Sequence, residues 1–248
     1  MGIVSSKPYC MRIVKTRSRE AAISKAIEKL NECLLSARRK PVLLMLSGGS
    51  TLELLEGVDM RLIGKRVTIT VLDERFSKDP AVNNFSQVCE TEFYKKAEFR
   101  GIDYIDTRVH RDIRLYALAR KFERALRRWR KKHPAGRILI TQGIGEDGHT
   151  AGILPYPESP KKFNRLFEKG DRWVVAYNAK KEKNEYPRRV TVNLPFLRDE
   201  VNCSVVYATS SAKRKAVRRV FARHGNLVRT PARVIREMKE AMLFTDLK

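Results

Sequence analysis

The segment Gly143 to Pro155, reading GIGEDGHTAGILP, sets a carboxylate, a glycine and an imidazole at three consecutive positions, Asp147, Gly148 and His149. Imidazole titrates near neutral pH, so a histidine oriented by a carboxylate can take a proton from water and return it to a leaving group. The plainer reading is that Asp147-Gly148 makes an ordinary turn and His149 is incidental, and the loop alone leaves both open. Ser47-Gly48-Gly49-Ser50-Thr51 offers backbone N–H groups and hydroxyls at the start of a short helical segment. Such a turn can hold an anion, or it is simply a tight connection. It is neither a P-loop, since no Gly-Lys-Ser/Thr follows, nor a dinucleotide fingerprint, since the G-x-G-x-x-G spacing is missing. Asp73-Glu74-Arg75 places three charges in a row. Arg75 can bind a phosphate or a developing oxyanion through its planar donor fork, and Asp73 can act as a base or orient another side chain. The alternative there is a local ion pair at a loop.

Each of these groups follows an apolar, β-prone run: Pro41 to Leu46 before Ser47, Val67 to Leu72 before Asp73, and Arg137 to Thr141 before the histidine loop. In open α/β sheets ligands bind at the carboxyl ends of the strands, so this repetition favours a site. Between the strands lie helical patterns. Ser18 caps a helix running to Ala37, with Ala22, Ile23, Ala26, Ile27, Leu30 and Leu34 on its apolar face. Asn83-Asn84-Phe85-Ser86 caps a helix running toward Lys95, and Leu52, Leu54 and Leu55 mark the short helix after the glycine turn. Strands are expected at Arg12 to Lys15, Val190 to Leu194, Val201 to Thr209 and near Met242 to Phe244. Pro195 starts a turn or helix, and helices are expected at Ser211 to Arg223 and Pro231 to Lys239. No Pro/Gly/Ser-rich linker, low-complexity tract or internal repeat interrupts this alternation, so residues 1–248 are read as one α/β domain.

Composition narrows the function. With 52 Lys plus Arg against 28 Asp plus Glu, the formal net charge is +24, which favours acidic partners. Two basic runs stand out, RKFERALRRWRKK at Arg120 to Lys132 and the stretch Lys213 to Arg223. In the first, Phe122, Ala125, Leu126 and Trp129 fall at helical spacing; in the second, Ala216, Val217 and Val220 are available for packing. Neither run contains a recognised nucleic-acid-binding motif, so both are read as solvated helix faces rather than as a footprint on nucleic acid. Apolar runs are only a few residues long, far short of the ~20 needed to span a bilayer, and the N-terminus shows no secretory pattern. Cys10, Cys33, Cys89 and Cys203 are widely spaced, with no Cys-x-x-Cys pair, which fits a reducing cytoplasm. His110, His133, His149 and His224 are scattered without zinc-like spacing, no Gly-x-Ser-x-Gly elbow is present, and no metal or cofactor is expected.

Four motifs, LSGGST at Leu46 to Thr51, LDER at Leu72 to Arg75 with NNF at Asn83 to Phe85, the Gly143 to Pro155 loop, and RVTVNLPFL at Arg189 to Leu197, together resemble the glucosamine-6-phosphate isomerase/6-phosphogluconolactonase family in order and spacing. SSAKRKAV from Ser210 sits where the family usually has Gly-x-x-Lys, and TPARVI at Thr230 to Ile235 resembles its C-terminal Pro-Ala segment. The resemblance spans nearly the whole chain. It implies a single three-layer α/β/α domain with a Rossmann-like, mostly parallel sheet. It also separates two activities. Deaminase relatives continue Asp-Gly-His with Ile-Ala-Phe-Asn-Glu and carry an aromatic residue at the place of Arg75, whereas here Thr150, Ala151 and Gly152 follow the histidine. The implied reaction is therefore hydrolysis of 6-phospho-D-glucono-1,5-lactone to 6-phosphogluconate, in the oxidative pentose phosphate pathway. His149 would be the base that activates water, oriented by Asp147 or Glu146, while Arg75 or loop N–H groups stabilise the oxyanion. The phosphate would meet Ser47, Gly48, Gly49, Ser50, Thr51, Arg75 and Lys213, with Arg189 a further candidate beside Arg188 and Lys215 an alternative to Lys213. Asp73 would be the proton-abstracting base in the deaminase alternative. The chain departs from the family at Glu146, often a small residue or proline, at Gly152, where serine is common, and at Ser210, which replaces a glycine.

Overall fold

The computed structural model describes residues 10–110, 112–179 and 185–247. From β1 (Cys10–Lys15) the chain enters α1 (Arg19–Ser36), whose first turn is capped as the sequence predicts: Ser18 Oγ accepts from Ala21 N at 3.2 Å. β2 (Val42–Leu46) leads into a 3₁₀ segment, Gly49–Gly57, and β3 (Val67–Val71) into a three-residue strand, β4 (Asp73–Arg75). Then come α2 (Asn84–Glu90), α3 (Glu92–Phe99), β5 (Asp103–Tyr104), α4 (Leu115–Lys132) and β6 (Arg137–Gly143). The rest comprises α5 (Pro160–Phe163), β7 (Val174–Asn178), β8 (Arg188–Val192), α6 (Leu194–Asp199), β9 (Cys203–Tyr207), α7 (Arg214–Phe221) and β10 (Glu240–Thr245).

Among the described residues the main sheet is parallel throughout, in the order β1-β10-β9-β6-β2-β3-β5. Every residue of β2 and β3 is buried, the pattern of strands covered on both faces. β2 divides its side chains between two cores. Val42, Leu44 and Leu46 join the cluster of Ala26, Leu30 and Leu34 from α1 with Phe85 and Phe93 from α2 and α3. Leu43 and Met45 join Leu118, Phe122 and Leu126 of α4 with Ala216 and Val220 of α7. Two cores on opposite faces of one parallel sheet make this an α/β fold with helices on both sides, as expected.

The second sheet, β4-β8-β7, is antiparallel, with Asp73 opposite Thr191 and Arg75 opposite Arg189. Sequence patterning gives Asp73-Glu74-Arg75 as a strand's charged end and does not mark β7. Short strands of this kind exist only because a partner from a distant part of the chain completes the ladder. Other differences are local. The helix expected toward Lys95 breaks at Thr91, whose N–H closes α2 on Val88 O at 3.1 Å while its hydroxyl caps α3 at Tyr94 N, 3.2 Å. Leu194 belongs to α6 rather than to the preceding strand, because Asn193 Oδ1 accepts from Phe196 N at 2.9 Å and caps that helix. The C-terminal segment Pro231–Glu237 winds as 3₁₀ rather than α.

Candidate active site

β2 and β6 are neighbours, but the chain proceeds from β2 outward through β3 to β5, and from β6 in the opposite direction through β9 to β10. The point where the direction reverses opens a crevice at the strands' carboxyl ends. The loops following β2 and β6 meet there, and Ser47 N, at the start of the first, donates to Thr141 Oγ1 of β6 at 3.1 Å. β3 and β9, flanking the pair, send Asp73-Glu74-Arg75 and the Ser210–Lys213 turn to the same edge. The resulting cleft has a volume of about 570 Å³. Its lining includes Ser47, Gly48, Gly49, Ser50, Thr51, Asp73, Arg75, Glu146, Asp147, His149, Arg189 and Lys213, but neither Arg188 nor Lys215.

The histidine loop is folded tightly on itself. Gly145 N donates to His149 O at 2.9 Å and Gly148, at φ +94°, donates to Gly145 O at 2.9 Å. Asp147 Oδ1 accepts from the backbone N–H of His149 at 2.9 Å and lies 2.6 Å from its Nδ1. Asp147, and not Glu146, is thus the carboxylate on the imidazole. Burial works against the Asp147 carboxylate, but the hydrogen bond and charge of His149 outweigh it and hold its carboxyl below the usual range. With Nδ1–H donated to Asp147, Nε2 carries the lone pair, the tautomer a general base requires. The ring lies over Gly145 so closely that a Cβ there would be 2.1 Å from Cε1 and Nδ1.

Behind the loop runs a buried polar chain that sequence reasoning missed. Ser204 Oγ donates to Gln142 Oε1 at 2.8 Å, Gln142 Nε2 to Thr150 Oγ1 at 2.8 Å, and Thr150 Oγ1 to Gly143 O at 2.8 Å. From outside, Arg219 of α7 reaches Glu146 O at 3.2 Å and Ala232 N donates to Gly148 O at 3.0 Å. A polar glutamine within a strand was the only sequence signal for this network.

On the opposite wall Asp73 is buried and lies 3.6 Å from Arg189 Nη1. Burial raises its carboxyl, with Arg189, His149 and Arg75 opposing. The strand register settles which arginine faces inward: Arg189 is buried against Asp73, while Arg188 is exposed with its guanidinium 4.3 Å from the centre of the Phe76 ring. Glu74 is fully buried beneath the cleft. Its carboxyl accepts from Asn84 N, Arg75 N, Phe85 N and Thr107 Oγ1, so it joins β4 to the start of α2. Burial pushes this carboxyl up to about 8, against those donors. Arg75 stacks on Tyr186 at 5.2 Å, and its buried Nε has no hydrogen-bond partner among the described residues.

The Ser-Gly-Gly turn uses each glycine differently. Gly49 has φ +68°, and a Cβ on Gly48 would sit 2.7 Å from Asn84 Oδ1. Thr51 donates its hydroxyl to Ser47 O at 2.7 Å, closing the turn and spending its proton there. Ser50 Oγ is 3.3 Å from Lys213 Nζ. Lys213 lies between Ser50 and Glu146, and burial lowers its ammonium while Glu146 and Glu53 oppose. Lys215, two residues on, is exposed on α7 and absent from the cleft lining. Ser210, standing where a glycine is usual, adopts φ +84°, so the chain keeps the glycine-type turn and Lys213 enters the cleft despite the substitution. Gly152 has its own reason: a Cβ would be 2.8 Å from Thr191 Cβ and 3.0 Å from Asp73 Cβ.

Of the two basic runs, α4 contributes no residue to the cleft, and some of its charge is engaged within the chain: Arg127 Nε donates to Glu123 at 2.6 Å and Arg130 Nε to Glu200 at 2.9 Å. Among the described residues no helix is long and apolar enough to cross a membrane.

Comparison with known proteins agrees with this architecture. A probable 6-phosphogluconolactonase of Dictyostelium discoideum is 27% identical over 195 residues, covering 77% of this chain and 78% of that protein. The crystal structure of a 6-phosphogluconolactonase from Shewanella baltica superposes with a TM-score of 0.73 at 20% identity, covering 98% of this chain and 99% of the other. The three-dimensional structure of the 6-phosphogluconolactonase from Trypanosoma brucei superposes with a TM-score of 0.74 at 17% identity, covering 96% of each chain. These structures share the fold. The profile of the family described as glucosamine-6-phosphate isomerases/6-phosphogluconolactonase matches residues 17–244, and the chain belongs to that family.

Proposed function

We propose that this protein hydrolyses 6-phospho-D-glucono-1,5-lactone to 6-phosphogluconate, with His149 as the base that activates water. The observation that carries the reading is the 2.6 Å contact of His149 Nδ1 with Asp147 in a cleft that also contains Arg75, Arg189 and Lys213. A δ-lactone is an activated ester, so water needs only a base and an oxyanion acceptor, and no protein nucleophile. His149 Nε2 takes the proton from water as it attacks the carbonyl. Negative charge then grows on the carbonyl oxygen, where Arg75 or the N–H groups of the histidine loop receive it. The imidazolium, stabilised by Asp147, returns its proton to the ring oxygen as the C–O bond breaks.

The phosphate supplies a fixed anchor at the far end of the substrate. The first N–H groups of the Gly49–Gly57 turn have no acceptor within the helical segment and carry the positive end of its dipole. Ser50 and Lys213 stand beside them. Asp73 is held in the ion pair with Arg189, which favours a positioning role over proton abstraction and so weighs against the deaminase reading. Residues from 47 to 213 contribute to one cleft, which supports reading the chain as one domain. We assign the reaction to the cytoplasm, and no nucleic-acid partner enters it.

The test is the rate of disappearance of freshly generated lactone with wild type, His149→Ala and no protein at matched pH, because the lactone also opens spontaneously. Acceleration by wild type, reduced about 10²-fold or more in a folded His149→Ala variant, is the expected result. Near-normal turnover by that variant removes His149 from the mechanism. Ammonia release from glucosamine 6-phosphate, with no lactone turnover, would replace the lactonase reading by the deaminase one.

A further inference from the structure

At the opposite end of the sheet from the cleft, α1 and β9 bring two thiols together. Cys33 lies buried in the last turn of α1, and Cys203 opens β9; they are 170 positions apart in sequence, yet their sulfurs lie 2.6 Å apart. Both are buried, Cys33 at 6% exposure and Cys203 at 2%. Packing alone has no use for this contact, since two aliphatic side chains would fill the same space without placing one sulfur in line with another. The active-site chemistry does not use it either, because the cleft is built at the carboxyl ends of the strands and Cys203 is a strand's first residue.

We propose that Cys33 and Cys203 are a dithiol that a peroxide converts to an intramolecular disulfide, fastening α1 to β9. The surroundings assign the order of events. Lys29, one helical turn before Cys33, brings an ammonium to the pair. The hydrogen bond from Cys203 and the charge of Lys29 lower the Cys33 thiol against the cost of burial, whereas the Cys203 thiol is raised. Of the two, Cys33 is the thiol that gives up its proton more readily, and so the attacking sulfur, with Cys203 the resolving one. The Cys33 thiolate attacks one oxygen of hydrogen peroxide: an S–O bond forms, the O–O bond breaks, and hydroxide leaves. Cys203 then gives its proton to hydroxide and its sulfur attacks that of Cys33, forming the S–S bond and expelling the sulfenic oxygen as a second hydroxide, which is protonated to water. Two thiols and one peroxide become one disulfide and two waters. Each sulfur loses one electron and each peroxide oxygen gains one.

Glu240 stands next to the pair, and its carboxylate with the two sulfurs forms a trio whose ligand atoms all lie within 4.8 Å of one another, a spacing that would also suit a soft metal ion. Lys29 decides against the metal. Its Nζ lies 2.9 Å from Glu240 Oε1, so a positive charge already occupies the carboxylate where a cation would bind.

The experiment treats the purified full chain with graded hydrogen peroxide, then alkylates under denaturing conditions and maps the peptides by mass. The expected product is a cross-linked Cys33–Cys203 peptide, lighter by two hydrogens than its reduced parts, with Cys10 and Cys89 still alkylated. Oxidised wild type should melt on the order of 10 °C above the reduced form, because the bond closes a long loop in the unfolded chain. Cys203→Ala should show no such rise and should accumulate sulfenic or sulfinic acid on Cys33. A second route, refolding from denaturant in a glutathione redox buffer, admits oxidant to the pair if the native fold excludes it. Four free thiols after both treatments overturn the proposal. So does stoichiometric metal in the purified protein, released by a chelator with loss of stability. Because the readout is a mass and a melting temperature, the result is independent of whether the protein turns over lactone.

Discussion

Asp147 engages His149 twice from two residues away, accepting from its backbone N–H at 2.9 Å and holding its Nδ1 at 2.6 Å. A single oxygen thereby fixes the backbone of the loop and the tautomer of the ring. Replacing it with the amide of Asn preserves the shape but allows the NH₂ group to face Nδ1, which favours the tautomer with Nε2 protonated. Asp147→Asn is expected to lower kcat by about 10²-fold or more with a smaller change in KM. Steady-state kinetics on fresh lactone check this, and an unchanged kcat would leave Asp147 with a purely structural part.

Gly145 makes a second, purely steric demand. A methyl group there would overlap the imidazole, at 2.1 Å from both Cε1 and Nδ1. Because the obstructing group is a half-exposed side chain, the ring can swing away without unfolding the core. Gly145→Ala is expected to cost kcat about as much as His149→Ala while the melting temperature moves by only a few degrees. A crystal structure of the variant with the ring in its original place and activity retained would contradict this account.

Lys213 and Lys215 are separated by one residue but by the whole geometry of the turn. Lys213 reaches Ser50 Oγ at 3.3 Å, while Lys215 is exposed on α7. Lys213→Ala is expected to raise KM for the phosphorylated lactone about tenfold or more, through loss of a charge-assisted hydrogen bond, and to leave the unphosphorylated lactone little affected. Lys215→Ala should change neither. Parallel assays with the two lactones distinguish the cases, and equal losses on both substrates would remove Lys213 from the phosphate.

Ser210 holds φ +84°, a conformation that costs a residue with a Cβ about 1–3 kcal/mol. Ser210→Gly should recover part of this, offset by the greater freedom of glycine in the unfolded chain, for a net gain of about 1 kcal/mol. In a protein of this size that is roughly 2–4 °C in melting temperature. Thermal denaturation reads it directly, and a lower melting temperature would show that the turn is not strained.

Much of this protein was written locally. The apolar runs at Val42–Leu46 and Val67–Val71, the Ser18 cap, and the glycines of the two loops prescribed strands, helix starts and turns through nearest-neighbour chemistry, and their order announced a parallel α/β sheet with its site at the strand ends. The residue types of the cleft were legible for the same reason: a histidine beside an aspartate, or serines around two glycines, need no distant partner to be recognised. Tertiary structure decided what depends on separation in space. It chose Asp147 over Glu146, because the turn at Gly148 points only the former at the imidazole. It chose Lys213 over Lys215 and Arg189 over Arg188, because helix phase and strand register are set by packing partners far along the chain. It made a second sheet by adding β4 and β7, neither of which was marked as a strand of its own in the sequence, to the two sides of the expected strand β8. The partners in the Gln142 network and in the Cys33–Cys203 contact could not be read from the sequence, since each joins residues whose proximity exists only after the sheet has formed.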